Sequence, residues 1–593
     1  MNYPQIKPTL NLDFSNTKTL DPRINFRRGT PGAYYDGKTY AKAEENLIEH
    51  SEDFSQWGFG RIVQTSAQSA PDGSSGAYKI EQESGQTSSG YLLQTYTTSA
   101  NKSYTFSVYA KAGTNRNYVV LRTYLSNNRF TYFDLVNGEA VNVDDHHVAT
   151  IQDAGNGWYR CSITYTPVTS SNVQFNIYFS DNDSSITVAD DGGFIYIWGA
   201  QLEQRDTVTA YTPTNGTPVT KYQPQLMFAS PDQPRFDYDP LTGESKGLLI
   251  EEQRTNLFSY SEDLSGFYAN GDIIVNKEKT VAPDGSFCGS IIRYDEPDSN
   301  IRPGQHIYLI DNISSSQNVS TSFYAKTINQ ANVVVNTGSC VVLFDLDLSQ
   351  HTVLQNDNDT AFISASIEHV GNDWFRCTVI ALGSGSNSQY QISPWLSSTE
   401  KNWGKRYHNG DSRSGVFLWG LQLELGSFPT SHIKTSGASV TRSADNASIT
   451  GENFSSWYRQ DEGSLYCEAS KRDVPSSVVP VSVDAGASDY IFLNLRSLES
   501  FEIKKNNNYQ VSALGFSNVS AETYHKIIGA YKKDSAAVSI NGLSALNDSA
   551  CEIPTVNRLT IGSTSGVTQN VHIKKLAYYP QRLTNEQLQQ LTK

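Results

Sequence analysis

The chain has 593 residues, which is more than one hydrophobic core supports, so roughly three to five domains are expected. Its formal net charge of −15 repels phosphate backbones and anionic membranes, which argues against nucleic acid as a partner. No apolar run is long enough to span a bilayer, and the first residues lack the pattern of a secretory signal, so membrane insertion is not expected either.

The composition favours strands over helices. Aromatic residues make up 11% of the chain, with 34 Tyr and 25 Phe against 2 Met, and 42 Gly residues divide it into short segments rich in Ser, Thr, Val and Tyr. The cysteines show no Cys-x-x-Cys spacing and are too sparse for a disulfide framework, so we expect buried free thiols. They are Cys161, Cys288, Cys340, Cys377, Cys467 and Cys551.

The N-terminal segment, residues 1–45, contains several large apolar or aromatic side chains in a piece too short to bury them by itself. We therefore expect the segment to pack on a neighbouring domain or on another chain. The side chains concerned are Leu12, Phe14, Ile24, Phe26, Tyr34 and Tyr35.

An internal duplication follows this segment. Six motifs occur twice in the same order, and the spacing between partners grows slowly from 210 to 221 residues, which indicates a duplicated module with small loop insertions. Residues 104–110 and 159–165 alternate in the manner of half-buried strands, so each copy is predicted to be all-β. The paired motifs begin at Ser51 and Ser261, Ala70 and Ala282, Tyr109 and Tyr324, Phe133 and Phe344, Gly155 and Gly371, and Trp198 and Trp419.

A third, different β domain is expected after the repeat ends at Asp445. Residues 463–469 form an alternating strand, residues 524–542 a hairpin with an Asn-Gly turn, and residues 573–580 a closing strand. Residues 583–591 predict a short capped helix. The fold class predicted for the whole chain is all-β, with tandem jelly-roll or β-sandwich domains and a short C-terminal helix.

At its repeated motifs the chain resembles bacteriophage tail-fibre or appendage proteins with carbohydrate-binding-module-like β-sandwich modules. The resemblance covers about residues 11–446 and rests on the motifs Ser-Glu-Asp-Phe at 51–54, Ala-Pro-Asp-Gly at 70–73, Gly-Asn-Gly-Trp-Tyr-Arg-Cys at 155–161, Trp-Gly-Ala-Gln-Leu-Glu at 198–203, and Val-Thr-Arg-Ser-Ala-Asp at 440–445. The ending is similar to a concanavalin-A-like or laminin-G-like sandwich.

The resemblance and the repeat together predict five regions. They are an N-terminal anchoring and scaffold segment (1–45), a first carbohydrate-binding-module-like sandwich (46–214), a connecting scaffold segment (215–255), a second such sandwich (256–446), and a concanavalin-A-like or laminin-G-like sandwich (447–593).

The function that the resemblance implies is structural. We expect a virion protein made in the host cytoplasm, a tail fibre or similar appendage that adheres to host-surface polysaccharide. We expect it to be a homotrimer anchored to other virion proteins through the N-terminal segment, with the C-terminal sandwich outermost. Truncating that segment is expected to abolish incorporation into the virion and to leave the sandwiches folded. The alternatives are a head fibre or decoration component that contacts only other subunits, and, from another class, a glycan depolymerase.

No enzymatic activity, cofactor or metal is expected, because the chain has no Gly-x-Ser-x-Gly, phosphate-loop or His-Glu-x-x-His motif. The Ser-Glu-Asp motifs at 51–53 and 261–263 are expected to cap turns. The run from Asp144 to His147 is expected to be a solvated turn, because neighbouring strand residues point to opposite faces and cannot all reach one ion. Four carboxylates could hold calcium, but a charged loop is the simpler expectation. They are Asp181, Asp183, Asp190 and Asp191.

Aromatic residues are the remaining candidates for contacts. The four tryptophans common to both copies fall inside strand patterns and are expected to be core; they are Trp158, Trp198, Trp374 and Trp419. Loops carry function more often, and a polar loop of the second copy contains aromatic residues that the first copy lacks. Trp395, Trp403, Tyr407 and His408 are therefore candidate glycan or subunit contacts.

Overall fold

The computed structural model confirms the all-β fold class: the described residues form 45 strands and only two short α-helices. No helix among them is long and apolar enough to cross a bilayer. The described residues are 7–270, 273–294, 306–328, 332–356, 361–383, 385–395, 415–471, 478–495, 498–517, 523–564 and 567–593.

The first module is a sandwich of two six-stranded antiparallel sheets. One sheet has the order β11-β10-β9-β14-β7-β4 and the other β12-β13-β8-β15-β6-β5. Its strands are β4 (Gly58–Gly60), β5 (Ile62–Gln68), β6 (Ala77–Gln82), β7 (Tyr91–Thr98), β8 (Tyr104–Ala112), β9 (Tyr118–Tyr124), β10 (Asn128–Asp134), β11 (Glu139–Val141), β12 (His147–Asp153), β13 (Trp158–Tyr165), β14 (Ser171–Ser180) and β15 (Phe194–Glu203). They follow the N-terminal strands β1 (Leu10–Asp13), β2 (Asn25–Arg27) and β3 (Gly32–Asn46).

The second module repeats this topology strand for strand. Its sheets have the orders β27-β26-β25-β30-β23-β20 and β28-β29-β24-β31-β22-β21, which is the order that a duplication requires. Its strands are β20 (Tyr268–Asn270), β21 (Ile273–Val281), β22 (Phe287–Tyr294), β23 (His306–Ile313), β24 (Asn318–Ile328), β25 (Asn332–Asn336), β26 (Cys340–Asp345), β27 (Gln350–Asn356), β28 (Phe362–Gly371), β29 (Trp374–Leu382), β30 (Gly385–Trp395) and β31 (Gly415–Leu425).

Between the modules the chain forms β16 (Val219–Ala229), β17 (Arg235–Tyr238), β18 (Ser245–Ile250) and β19 (Arg254–Asn256). Strand β16 pairs with β3 along a two-stranded ribbon, from Val219 opposite Asn46 to Ala229 opposite Gly32. The first module therefore leaves and returns to the ribbon at the same end.

The C-terminal sandwich has an eight-stranded and a seven-stranded sheet. The first has the order β17-β18-β45-β34-β39-β40-β41, with β1 also paired to β45; the second has the order β2-β33-β42-β35-β36-β37-β38. The elements are β32 (Val440–Arg442), β33 (Asn446–Thr450), α1 (Glu452–Ser455), β34 (Glu462–Lys471), β35 (Val478–Asp484), β36 (Tyr490–Leu495), β37 (Leu498–Lys505), β38 (Asn508–Ser517), β39 (His525–Lys532), β40 (Ser535–Ile540), β41 (Leu546–Asp548), β42 (Arg558–Ile561), β43 (Ser563–Thr564), β44 (Val567–Thr568), β45 (Val571–Tyr579) and α2 (Asn585–Leu591).

Two details of the sequence-based expectations are confirmed locally. Helix α2 begins with a capping box, in which the Thr584 hydroxyl accepts from the Gln587 backbone and the Gln587 side chain accepts from the Thr584 backbone. All six cysteines are free thiols, and five of them are buried; Cys288 is half-buried.

The scaffold segments are not separate units, which corrects the expected domain organisation. Leu12 of β1 and Phe26 of β2 are buried in the same core as Ile573 of β45, because β1 and β2 complete the two sheets of the C-terminal sandwich. Strands β17 and β18 do the same from the connecting segment. One sandwich is thus assembled from three distant parts of the chain, and the two modules are insertions into it.

Removing the N-terminal segment should therefore unfold the C-terminal sandwich, contrary to the expectation that the sandwiches stay folded without it. Phe14→Ala alone leaves a cavity at a side chain that is 2% exposed, which we expect to cost about 3–5 kcal/mol. Thermal unfolding followed by circular dichroism measures this loss. Thr19→Ala, at an exposed position of the same segment, is the control and should change little. An unchanged melting temperature for Phe14→Ala would contradict the structure.

A buried group of five charged side chains lies where the segments meet, and we call it the arginine–carboxylate cluster. It consists of Arg28, Arg235, Glu251, Arg442 and Asp445, whose side chains are 0–1% exposed. Arg28 pairs with Asp445 at 3.0 Å and Arg235 with Glu251 at 2.6 Å. Arg235 also pairs with Asp445, and Arg442 with Glu251.

The cluster joins pieces that are far apart in sequence. Arg28 follows β2, Arg235 begins β17, Arg442 ends β32, and the two carboxylates follow β18 and β32. Burial opposes the charged form of Arg235, but Asp445 and Glu251 outweigh it and raise the pKa of this guanidinium. The Arg235 guanidinium therefore keeps its charge at any ordinary pH, and its two ion pairs join β17 to the residues that follow β18 and β32.

Asp445→Asn should leave Arg28 and Arg235 short of negative charge in a buried site, and we expect a loss of about 3–5 kcal/mol in unfolding free energy. Urea unfolding measures it. Asp461→Asn, which removes an equivalent charge from the solvent-exposed pair with Arg459, is the matched control and should leave the urea midpoint unchanged. Equal effects of the two variants would show that the cluster does not hold the segments together.

Candidate functional site

The repeated motifs mainly hold one loop in place in each module. In the first copy the buried Asn46 amide donates to the carbonyls of Ala200 and Thr212, at 3.0 and 2.9 Å. Asn256 makes the equivalent bonds to Leu421 and Ile433 in the second copy, both at 3.0 Å. The "latch loops", residues 204–214 and 425–435, are thereby fixed across the outer face of one sheet.

The acidic motif residues serve the same loops. Thr209 donates its backbone N–H to Glu203 at 3.0 Å, and Thr430 donates to Glu424 at 2.8 Å. Burial raises the pKa of Glu203. The Ser-Glu-Asp motif caps a turn as expected, because Asp53 accepts from Ser55 N–H at the start of the 3-10 turn Phe54–Gln56. These carboxylates are structural.

The shared tryptophans are buried, as expected, but outside the central core. Trp198 packs on the outer face of its sheet beneath the latch loop, with its ring centroid 4.6 Å from that of Tyr211. Its counterpart Trp419 packs 4.6 Å from His432, in a cluster that also contains Ala33 and Leu226 of the ribbon. Trp374 and Trp419 thus attach the second module to the ribbon and present no surface for stacking.

The aromatic contacts proposed from the sequence fall in or next to a region that the structure does not describe. Trp403, Tyr407 and His408 lie outside the described residues. Trp395 is the last residue of β30 and not a loop residue, and it is 1% exposed. It packs against Val334 and other apolar side chains on the outer face of the sheet, so it offers no open face to a ligand.

A partly exposed polar and aromatic surface, in which Asn176 is fully buried, lies instead on the first module, on the outer face of the sheet that contains β9 and β14. Leu121 and Ile177 belong to the core, so strand alternation turns their neighbours outward. The cross-strand registers place two rows side by side. This "platform" consists of Leu93, Asn176, Arg122 and Phe130 in one row and Thr95, Gln174, Tyr124 and Asn128 in the next.

Arg122 organises the platform. Its guanidinium donates to the amide oxygens of Asn176, Gln174 and Asn128, at 2.9, 3.1 and 3.0 Å. It also lies 5.0 Å from the ring centroid of Tyr124 and 5.9 Å from that of Phe130. Because the guanidinium takes the amide oxygens, the amide NH₂ groups of Gln174 and Asn128 remain available as donors to a ligand.

The electrostatics fit a site that is partly desolvated. Burial lowers the pKa of Arg122, and the surrounding tyrosines oppose that shift. A third row of the same face is covered, because Ile186 of the loop 181–193 packs over Val120, Tyr132 and Tyr178. That loop is held by Ser89 N–H, which donates to the Ile186 carbonyl at 2.7 Å. The loop therefore forms a wall along one side of the platform.

The second module has lost the platform. Asn336 occupies the register position of Arg122, Gln391 that of Asn176, and Val341 that of Phe130. A side-chain hydrogen bond between the first two positions remains, since Asn336 donates to Gln391 at 3.2 Å. The cation and the aromatic ring of the first copy are absent from these positions. The sequence does contain a signal for the platform. Tyr124 and Phe130 are aromatic residues that the second copy lacks, as are the loop candidates, but they lie at outward positions of strands.

The suspected metal ligands do not converge. No group of three or more His, Cys, Asp or Glu side chains in the described ranges is arranged to hold a metal ion. His147 points into the module, where its ring nitrogens bond the hydroxyls of Thr123 and Thr131 at 2.8 and 2.9 Å. Asp191 pairs with Arg116, and Asp190 accepts from the Gly85 N–H, so both belong to a hydrogen-bonded loop.

The buried His147 predicts an acid-sensitive first module. Burial lowers its pKa from 6.5 to about 4, so the unfolded chain binds more protons between these values and stability falls as the pH drops through this window. We expect a loss on the order of 3 kcal/mol between pH 7 and pH 4 from this residue. Hydrogen exchange of β9 and β10 at several pH values measures it. His147→Gln should reduce the pH dependence of the first module's stability, whereas His146→Gln, at the exposed neighbouring position, should not. The same pH dependence in both variants would show that His147 is not the titrating group.

The comparisons with known proteins do not place the chain in a family: no protein-family profile and no curated protein matches it. Among solved structures, the LG1-3 region of the laminin alpha2 chain is 12% identical, with 82% of this chain and 95% of that chain covered and a TM-score of 0.18. A Trypanosoma rangeli sialidase in complex with the inhibitor DANA is 10% identical, with 99% and 97% covered and a TM-score of 0.19. A xylan beta-1,4-xylosidase from Bacillus halodurans C-125 is 9% identical, with 93% and 99% covered and a TM-score of 0.16. TM-scores this low indicate nothing about function.

Proposed function

We propose that this chain is a bacteriophage virion protein, a tail fibre or similar appendage, that adheres to host-surface polysaccharide without catalysis. The repeated motifs support the family, and one observation carries the adhesive role. That observation is the platform, where Arg122 lies over the rings of Tyr124, Phe130 and Tyr178 and donates to three amide oxygens.

The platform has the chemistry that a sugar chain needs. Tyr124 and Phe130 offer ring faces for the apolar faces of pyranoses, and the amide groups offer donors to hydroxyls. Two rows across four strands span about 15 Å by 7 Å, which suits an extended chain better than a small ligand. A shallow surface of this kind buries little of its ligand, so each site binds weakly and several copies together give the attachment its strength.

Oligomerisation and attachment are further parts of this proposal. A homotrimer would present three platforms together, and attachment to other virion proteins would use the N-terminal segment. Strand β1 pairs with β45, with Leu12 opposite Leu576, so both ends of the described chain lie in one sandwich. If the N-terminal segment is the anchor, the C-terminal sandwich lies beside the particle and the modules project from it, which revises the expectation that this sandwich is outermost.

One feature favours the alternative of a head fibre or decoration component. The modules are insertions into a single interlocked sandwich, so the described chain is a set of packed lobes and not a shaft. For the depolymerase alternative, the motif carboxylates offer no support, because Glu203 and Glu424 hold the latch loops and Glu251 and Asp445 hold the scaffold.

Replacing Arg122 and Tyr124 with alanine should weaken attachment to host cells by at least tenfold, because the aromatic face and the fixed amide geometry are lost together. Binding of fluorescently labelled protein to intact host cells measures this. Tyr222→Ala removes a tyrosine that is 62% exposed on the ribbon, away from the platform, and should bind as the original protein does. Unchanged binding by the platform variant would show that the platform is not the adhesive surface. Release of reducing ends from host polysaccharide would favour a depolymerase.

A further inference from the structure

Two clefts occupy equivalent faces of the two modules. The first, of about 530 Å³, is lined by Thr150, Arg160 and Ser162 of the first module, and the second, of about 680 Å³, by Ser366, Arg376 and Thr378 of the second. The cross-strand registers show that these triplets correspond, since Thr150 pairs with Ser162 as Ser366 pairs with Thr378. Both clefts have the size of small-molecule sites and lie between domains, where such sites are common.

The second cleft differs in what closes it. Its far wall is the ribbon and the C-terminal sandwich, and six aromatic side chains line the space. They are Tyr34, Tyr35, Tyr238, Tyr324, Phe428 and Tyr524. The first cleft has fewer aromatic rings and more charged side chains in its lining. The charged side chains include Lys221, Lys279, Asp206 and Asp373. A ligand with apolar faces therefore fits the second cleft better.

Four residues that line the second cleft carry buried polar atoms without a hydrogen-bond partner among the described residues. These atoms are Tyr35 Oη, Arg376 Nε, His432 Nδ1 and His572 Nδ1. Buried polar groups are nearly always paired, so such a concentration around one cavity indicates a missing partner. The first cleft has three such atoms, Arg160 Nε, Trp198 Nε1 and Thr327 Oγ1, so the second cleft differs from it chiefly in its aromatic lining.

The hydrogen-bonding types of these atoms restrict the partner. His572 Nε2 lies 2.8 Å from Asp237, and although burial opposes it, this contact lowers the pKa of the Asp237 carboxyl. The ring donates from Nε2, so Nδ1 accepts in the neutral ring and donates in the charged one, while Arg376 Nε is a donor and Tyr35 Oη is either. A phosphate could only accept and an ammonium could only donate, whereas a hydroxyl group does both.

The charges around the cleft nearly cancel, which argues against a charged ligand. Lys246 lies 3.7 Å from Asp239 and 3.8 Å from Glu368, and Asp237 is hydrogen-bonded to His572 at 2.8 Å. Arg376 is engaged with the Thr430 carbonyl. Neither a free cation nor a free carboxylate dominates the space.

We propose that the cleft between the second module and the C-terminal sandwich binds a short neutral oligosaccharide, with hydroxyl groups at Tyr35, Arg376 and His572 and pyranose faces against the tyrosines. This inference rests on the proposed glycan recognition and assigns it a second, separate site. The platform holds an extended chain on an open surface, and the cleft encloses a short piece or chain end.

The test uses the full-length chain and three neutral trisaccharides, maltotriose, cellotriose and N,N′,N″-triacetylchitotriose, in saturation-transfer NMR and calorimetry. At least one should bind, and Ser366→Trp, at an exposed strand position that lines the cleft, should abolish the signal. Thr150→Trp fills the first cleft at the corresponding position and should leave the signal intact. No binding of any trisaccharide, or loss of the signal in Thr150→Trp alone, would overturn the proposal.

Two further variants separate this site from protein stability and from the platform. Tyr35→Phe removes an unpaired hydroxyl, so the melting temperature without sugar should stay the same or rise while the affinity falls roughly three- to tenfold. A lower melting temperature with unchanged affinity would contradict the inference. Arg122→Ala should weaken cell attachment and leave trisaccharide binding unchanged; loss of trisaccharide binding in this variant would assign the sugar to the platform and overturn the cleft site alone.

Discussion

The rest of the structure depends on the arginine–carboxylate cluster, in which three guanidinium groups and two carboxylates are held away from solvent. Buried charges are tolerated only when they are paired and hydrogen-bonded, so the cluster can form only when its distant segments are all in place. Arg28 and Asp445 lie 417 residues apart and pair directly. The cluster therefore holds together the segments that connect the C-terminal sandwich to the two inserted modules, next to strands β2, β17, β18 and β32.

This arrangement explains how one repeated module can occupy two different environments. The latch loop holds the same outer sheet face in both copies, through Asn46 in one and Asn256 in the other. In the second copy that face packs on the ribbon, where Trp419 joins Ala33 and Leu226. The repeated residues thus stabilise the fold of the module, and the segments packed around each copy determine which of its surfaces can bind a ligand.

The cleft follows from this difference, whereas the platform lies on the other sheet of the first module and depends on residues that the second copy lacks. The first module keeps one sheet face open, and there Arg122 fixes three amide oxygens between aromatic rings. The second module has lost that cation but forms a cleft with the C-terminal sandwich, lined by tyrosines and by unpaired polar atoms. An open surface suits a polymer and an enclosed space suits a short oligosaccharide, so the copies would divide recognition between them.

The sequence by itself determined the all-β class, the duplication, the capped C-terminal helix and the burial of the shared tryptophans, because strand alternation, turn residues and capping are local properties. It could not show that Leu12 completes the C-terminal sandwich or that Arg28 pairs with Asp445, because nothing local specifies a partner hundreds of residues away. Only the tertiary structure placed Trp395 against Val334 and Arg122 among amides and rings. Sites of this kind are set by cross-strand register and domain packing, which bring together residues that no sequence motif connects.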